Sequence, residues 1–272
     1  MAKKIIKNPL IYIAVAIILI ITARHIKNCA NTFYTPSWDY CETGVGSSAE
    51  DIFKYTGLSY AAAKEMMQNQ RQKDIEILNK MYFEKPGIKK QYILFPITAE
   101  EKITSTPPPL APLKKGDILV SFSTHTLDWR HGHIALVLTD GGEFMLEHIS
   151  MGKKSVITKG KKWNKYANFV VLRHYDKETA DAAANYALAK LEGVPYSIFA
   201  GLNSKDKSAM EDIDTSHCSH IVWQAYKALG TDLDSNKGKV VTPHDIAMSD
   251  ELKIVQIYGV NPKEYKDRIL TQ

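Results

Sequence analysis

The amino-acid sequence predicts an α+β fold, a mainly antiparallel sheet packed by helices. Three observations lead to it. Short strand-like runs cluster between residues 117 and 174, helical patterns follow from Lys177 onward, and Asp140-Gly141-Gly142 makes a tight turn between two of the strands. Strands grouped ahead of helices, and not alternating with them, describe antiparallel layers. The composition is that of a globular chain. Its 272 residues are 44% hydrophobic and 24% charged, which excludes a collagen-like, low-complexity or wholly disordered polymer, and three cysteines exclude a disulfide scaffold.

The first element is an apolar run from Leu10 to Ala23, interrupted only by Thr22 and extended by Ile5 and Ile6. Lys3, Lys4 and Lys7 precede it, Arg24 and Lys27 follow it, and residues 1–28 contain no acid. Setting those five basic residues aside leaves 30 against 30 acids. The rest of the chain is therefore neutral, and the overall charge of +5 is no footprint of nucleic-acid binding. Apolar all round and basic at both ends, residues 5–23 read as a membrane segment within a signal anchor or signal peptide at 1–28. No small-x-small cleavage site follows closely, which favours an uncleaved anchor. The bulk of the chain is expected outside the cytoplasm, tethered there or, if the segment is cleaved, secreted. A disulfide between Cys29 and Cys41 is permitted in that compartment but not implied.

Residues 29–105 read as a helical N-terminal region with no assigned role. Ala49 to Met81 is patterned as helix, with Ser59 as a cap, Ala62, Met66, Ile75 and Leu78 at helical spacing, and Pro86-Gly87 as the stop. The run Thr106-Pro107-Pro108-Pro109-Leu110-Ala111-Pro112 suits neither helix nor central strand, so 106–112 reads as a stiff linker with a domain boundary near residue 110. Asp117–Phe122, His133–Leu138, Glu143–Ile149 and Asn168–His174 read as strands. Helices are expected from Lys177 to about Glu192, from His217 to Leu229 and after Thr242-Pro243, with Lys253–Tyr258 as a last strand and 261–272 as a tail.

Cys218 is the most informative position. With Thr215 or Ser216 as N-cap it falls in the first turn of its helix, where free N–H groups and the helix dipole favour an anion. Cys218, Val222, Ala225 and Leu229 share a face, which aims the sulfur at the sheet. His133, at the start of a strand, shares a face with the small residues Ala135 and Val137, leaving room for a sulfur beside the imidazole. Glu147 shares a strand face with Met145 and Ile149, an unexpected place for a carboxylate unless it has a partner. Cysteine, histidine and acid fit the roles of nucleophile, base and orienting group. Trp129 and Trp163 either line the cleft or cover the sheet edge, and Lys153, Lys154, Lys159, Lys161 and Lys162 read as a solvated basic loop.

Four stretches carry a family likeness: Leu113-Lys114-Lys115-Gly116-Asp117-Ile118-Leu119, Gly132-His133-Ile134-Ala135-Leu136-Val137, Leu146-Glu147-His148, and Cys218-Ser219-His220-Ile221-Val222-Trp223-Gln224-Ala225-Tyr226. The last continues into Leu229–Asp234 and Val241–Ile246. In this order and spacing the chain resembles the circularly permuted NlpC-type papain-like cysteine hydrolases, the YiiX/YebB group, over about residues 110–250. The histidine-before-cysteine order is the mark of the permutation. The resemblance implies a permuted papain-like domain at 113–260, with Cys218 as nucleophile, His133 as base and Glu147 as third member. Gly193-Val194-Pro195-Tyr196 matches a stretch of such enzymes whose tyrosine lies near the nucleophile. It implies that Tyr196 lines the pocket or assists the oxyanion, alongside the Cys218 backbone N–H.

The activity so implied is hydrolysis of an amide or acyl bond through an acyl-enzyme, with no cofactor. Peptides, cell-wall stem peptides among them, and acyl-lipids are the expected substrates, the membrane is a partner through residues 5–23, and nucleic acid is not. Two other readings stay open. His131, His133, His217, Cys218 and His220 offer zinc-ligand chemistry, although neither a CxxC pair nor an HExxH helix is present. Alternatively, the fold is a non-catalytic module that binds a peptide or lipid.

Overall fold

The computed structural model describes residues 33–37, 48–127, 129–201 and 214–269. The segment at 5–23, Cys29 and Cys41 lie outside the described residues. Among those described, no helix is long and apolar enough to cross a membrane.

The N-terminal region opens with three helices, α1 (Ala49–Thr56), α2 (Tyr60–Gln68) and α3 (Gln72–Phe83). Ser59 caps α2 as expected, its hydroxyl accepting from the Ala62 N–H. The helical pattern through Met81 is not one helix. Gln70 takes φ 59°, and the Arg71 N–H turns back to the Met66 carbonyl at 2.8 Å, which ends α2 and starts α3 in a new direction. Nor is the region helical throughout. Residues 88–103 form a hairpin, β1 (Ile88–Leu94) and β2 (Thr98–Ile103). Its outer strand Ile-Lys-Lys-Gln-Tyr-Ile-Leu is exposed at five of its seven positions, so it carries no buried alternation by which to be recognised.

The Pro-rich stretch 106–112 has no regular structure, but it is pinned to the body of the protein. The Ala111 N–H donates to Gln256 Oε1 at 2.7 Å, Gln256 Nε2 donates to the Pro109 carbonyl at 2.9 Å, and Arg71 donates to the Leu110 carbonyl at 2.8 Å. One hydrophobic core runs from Phe33 through the first helices to Ile269. The helical region and the strands beyond it therefore share a single interior.

The remaining strands are β3 (Ile118–Ser121), β4 (Thr124–Thr126), β5 (Trp129–Arg130), β6 (His133–Val137), β7 (Phe144–Glu147), β8 (Val156–Lys159), β9 (Phe169–His174) and β10 (Leu252–Tyr258). They make a six-stranded sheet in the order β10-β9-β3-β6-β7-β8, every neighbouring pair antiparallel, and a four-stranded sheet β1-β2-β4-β5. The α+β expectation holds at this level. The helices α4 (Lys177–Lys190) and α5 (Cys218–Lys227) pack on the large sheet, α4 against β9 and α5 against β6. The short α6 (Pro243–Ala247) carries a capping box between Thr242 and Asp245. Leu229, placed on the buried face of α5 by spacing, is 40% exposed, because α5 ends at Lys227 and the chain turns away.

Gly116 shows why the opening motif needs its glycine. It sits at φ 82°, where a Cβ would meet the Ala180 carbonyl oxygen of α4 at 2.4 Å, and its own carbonyl accepts from the Tyr226 hydroxyl of α5 at 2.5 Å. One tight turn thus joins both packing helices to the start of β3. Beside it Asp117 is fully buried, and the Arg173 guanidinium of β9 holds it in two hydrogen bonds, 2.8 and 2.7 Å.

Candidate active site

Register brings the acid and the base together. In β6, Ala135 stands opposite Glu147 of β7, and His133 lies two residues along on the same face. The diagonal neighbours meet: His133 Nε2 is 2.7 Å from Glu147 Oε2. Both are buried, at 4% and 0% exposure. The other carboxylate oxygen is taken by Lys162 Nζ at 2.8 Å and by the Thr158 hydroxyl of β8. Burial disfavours the Glu147 anion, but His133 and Lys162 outweigh it and hold the carboxyl down at about 2.

With Nε2 given to Glu147, the imidazole keeps Nδ1 for another partner, and Cys218 lies close enough to act on its charge. Burial pulls the imidazolium down, yet the two flanking partners, Cys218 and Glu147, raise His133 to about 9. Trp163, fully buried, stacks on the ring at 5.4 Å and 11°, which fixes its plane. The three residues singled out from sequence are thus brought into one cluster.

Cys218 is the first residue of α5 and 9% exposed. The N-cap is His217, not Thr215 or Ser216. The chain stays extended through Ser216, whose N–H donates to the Pro195 carbonyl at 2.9 Å and whose hydroxyl turns to Gln224 Oε1 at 3.1 Å. The Ser197 N–H returns to the Ser216 carbonyl at 2.8 Å, so Tyr196 is laced alongside the residue two before the cysteine. Tyr196 is half-buried and meets His148 edge-on at 5.0 Å. Burial, and after it the neighbouring Cys218, push its phenol well above the ordinary range and keep it a hydroxyl donor.

The zinc arrangement is not assembled. Gly132 at φ 79° breaks the extended run, so His131 and His133 do not line one strand face. The His131 ring is bonded to the Thr126 hydroxyl at 2.9 Å and to the Gly132 carbonyl oxygen at 2.8 Å. Burial holds His217 neutral, down at about 3. Among the described residues no group of three or more His, Cys, Asp or Glu side chains could hold a metal ion.

Sequence reasoning missed several participants. Lys162 is not merely a solvated loop residue, because the 3-10 turn Gly160–Lys165 folds it back over Glu147. From the N-terminal hairpin, Glu100 accepts from the Tyr166 hydroxyl at 2.5 Å and pairs with Lys102 at 2.9 Å. Lys102 Nζ also lies over the Tyr166 ring, which in turn packs against Trp163 at 5.0 Å. Trp163 and Tyr166, spaced by three, were the one legible signal of a turn packed inward. Trp129, by contrast, is 69% exposed.

No protein-family model, curated protein or solved structure matches this chain.

Proposed function

We propose that the chain is a cysteine hydrolase of the permuted NlpC-type papain-like kind, anchored by residues 5–23 with its catalytic domain outside the cytoplasm, cleaving an amide or acyl bond. The observation that carries this reading is one imidazole held between a buried carboxylate and a cysteine at a helix start. In the resting pair the proton sits on His133 and the sulfur of Cys218 is the nucleophile. The sulfur attacks the substrate carbonyl carbon, forming a C–S bond and pushing an electron pair onto the oxygen. The Cys218 backbone N–H, which has no partner within its helix at this position, and the Tyr196 hydroxyl are the donors for that oxyanion. When the tetrahedral species collapses, the bond to nitrogen or oxygen breaks and His133 gives its proton to the leaving group. His133 then takes a proton from water, whose oxygen displaces sulfur from the acyl carbon, releasing the acid and restoring the pair.

Glu147 keeps Nε2 protonated and the ring aimed throughout, and Lys162 and Thr158 keep Glu147 ionised and still. The test is a thiol-directed probe with the modified site read by mass. Cys218 is expected to label in the wild type and to fall to the rate of an ordinary buried thiol in His133→Ala, with Cys218→Ala folded but devoid of turnover. Labelling unchanged in His133→Ala would overturn the reading and favour a non-catalytic binding module.

A further inference from the structure

Two hairpin ends come together at one end of the four-stranded sheet. Thr98 of β2 pairs with Thr126 of β4, and the Leu127 N–H donates to the Ile97 carbonyl at 2.8 Å, so the β1–β2 turn and the β4–β5 turn are neighbours. Together they expose Tyr92 at 48%, Leu94 at 42%, Phe95 at 76%, Ile97 at 37%, Leu127 at 71% and Trp129 at 69%. Large apolar side chains clustered this way on a surface mark a docking site. We propose that these paired tips dock into the interfacial layer of a lipid bilayer.

The position of the chain's start selects that occupant. Phe33 is packed on Tyr258 at 5.3 Å, and the Tyr34 N–H donates to the Gly259 carbonyl. Gly259 lies against the Ala167 carbonyl oxygen, and the Ala167 N–H donates to the Glu101 carbonyl of β2. From Glu101 to Thr98 at the tip is about 10 Å along the strand. The apolar sequence ending at Ala23 is ten residues before Phe33, a reach of at most roughly 35 Å. A domain held that close to a membrane by a tether leaving beside β2 presents this end of the sheet to it. Tryptophan, tyrosine and phenylalanine suit the headgroup region, where one side is apolar and the other wet. Pairing of a second copy along the open edge of β1 is discouraged by Lys89 and Lys90 on that edge. The inference rests on the anchor reading of residues 5–23 and is independent of Cys218 chemistry.

The full chain, reconstituted in phosphatidylcholine–phosphatidylglycerol vesicles in a Trp38→Phe background, tests it. Trp163 and Trp223 are buried, so Trp129 reports the tips. Its emission is expected to shift to the blue and lose intensity when the acyl chains carry bromine, and Phe95→Ser with Leu127→Ser removes that loss. Cys218→Ala leaves the quenching as it is, which separates the docking from the hydrolase reading. Vesicles that float with the protein but do not quench Trp129 overturn the docking while sparing the anchor. Protein that fails to float ends both. Cross-linking of the tips to a second copy, without quenching, assigns the surface to a dimer and overturns the bilayer.

Discussion

The two sheets meet where Ala167 bonds to Glu101 and Lys102 pairs with Tyr166, yet the centre of the large sheet and the outer strand of the small one follow opposite rules of burial. In β3 and β6 every residue is buried, so polar groups exist there only with partners. In β1 five of the seven residues are exposed, and the hairpin ends carry aromatic rings into solvent. The large sheet can hold a charge in one protonation state because its neighbours cannot move away. The outer hairpin ends of the small sheet present chemistry outward, whereas its inner strands β2 and β4 are largely buried, with Glu101 held by Arg130 and Glu100 and Lys102 held against Tyr166. Substitutions should therefore be severe in the buried strands and mild at the hairpin ends.

The largest effect is expected from Trp163→Ala. It removes a fully buried indole from the core and from the face of His133, and such truncations cost about 3–5 kcal/mol. Urea unfolding measures it. A loss under 1 kcal/mol would show that the turn over the site is loosely packed and would break the contrast between the sheets.

Glu147→Gln comes next and sharpens the comparison by pH. His133, raised to about 9 from an ordinary 6.5, contributes stability that is complete below 6.5 and lost as pH rises through 9. Glu147, held at about 2 against an ordinary 4.5, contributes stability that is complete above 4.5 and lost as pH falls toward 2. The glutamine variant is expected to flatten both limbs of the stability profile and to bring the His133 ring titration, followed by NMR, down by more than one unit. An unmoved titration would remove Glu147 from the role of orienting group. Lys162→Met acts on the same carboxylate but removes a cation, which leaves Glu147 to His133 alone, so the His133 titration is expected to move the other way, upward, and by less, because the lysine is 37% exposed and screened by solvent.

How much of this was legible follows from the same contrast. His133, Glu147 and Cys218 could be read because each broke a pattern: a polar group on the buried face of a strand, or a thiol at a helix start. Five of the six strands of the large sheet were legible, since runs such as Ile118–Ser121 and His133–Val137 are apolar with few exceptions, while β8, with no buried position, was not. Nor was the β1–β2 hairpin, because β1 is exposed and β2 buries glutamate and lysine, so neither strand shows an apolar alternation. Lys162 was hidden because a 3-10 turn has no period to reveal which lysine folds inward. The cap at His217 was missed because Thr215 and Ser216 are better caps by residue type, and only the bonds from Ser216 to Pro195 and Gln224 disqualify them.

The smallest effect is expected at the far end of the small sheet. Phe95→Ser replaces a ring that is 76% exposed and touches Tyr92 edge-on at 5.2 Å, so little packing is lost when it goes. Thermal or urea unfolding in detergent-free buffer should change by no more than about 0.5 kcal/mol, the range of ordinary surface substitutions. Solubility should rise, because an apolar group leaves the surface. A destabilisation comparable to Trp163→Ala would mean that the ring is covered in the folded protein by part of its own chain. The hairpin ends would then belong to the core, and the difference between the two sheets would be one of position and not of purpose.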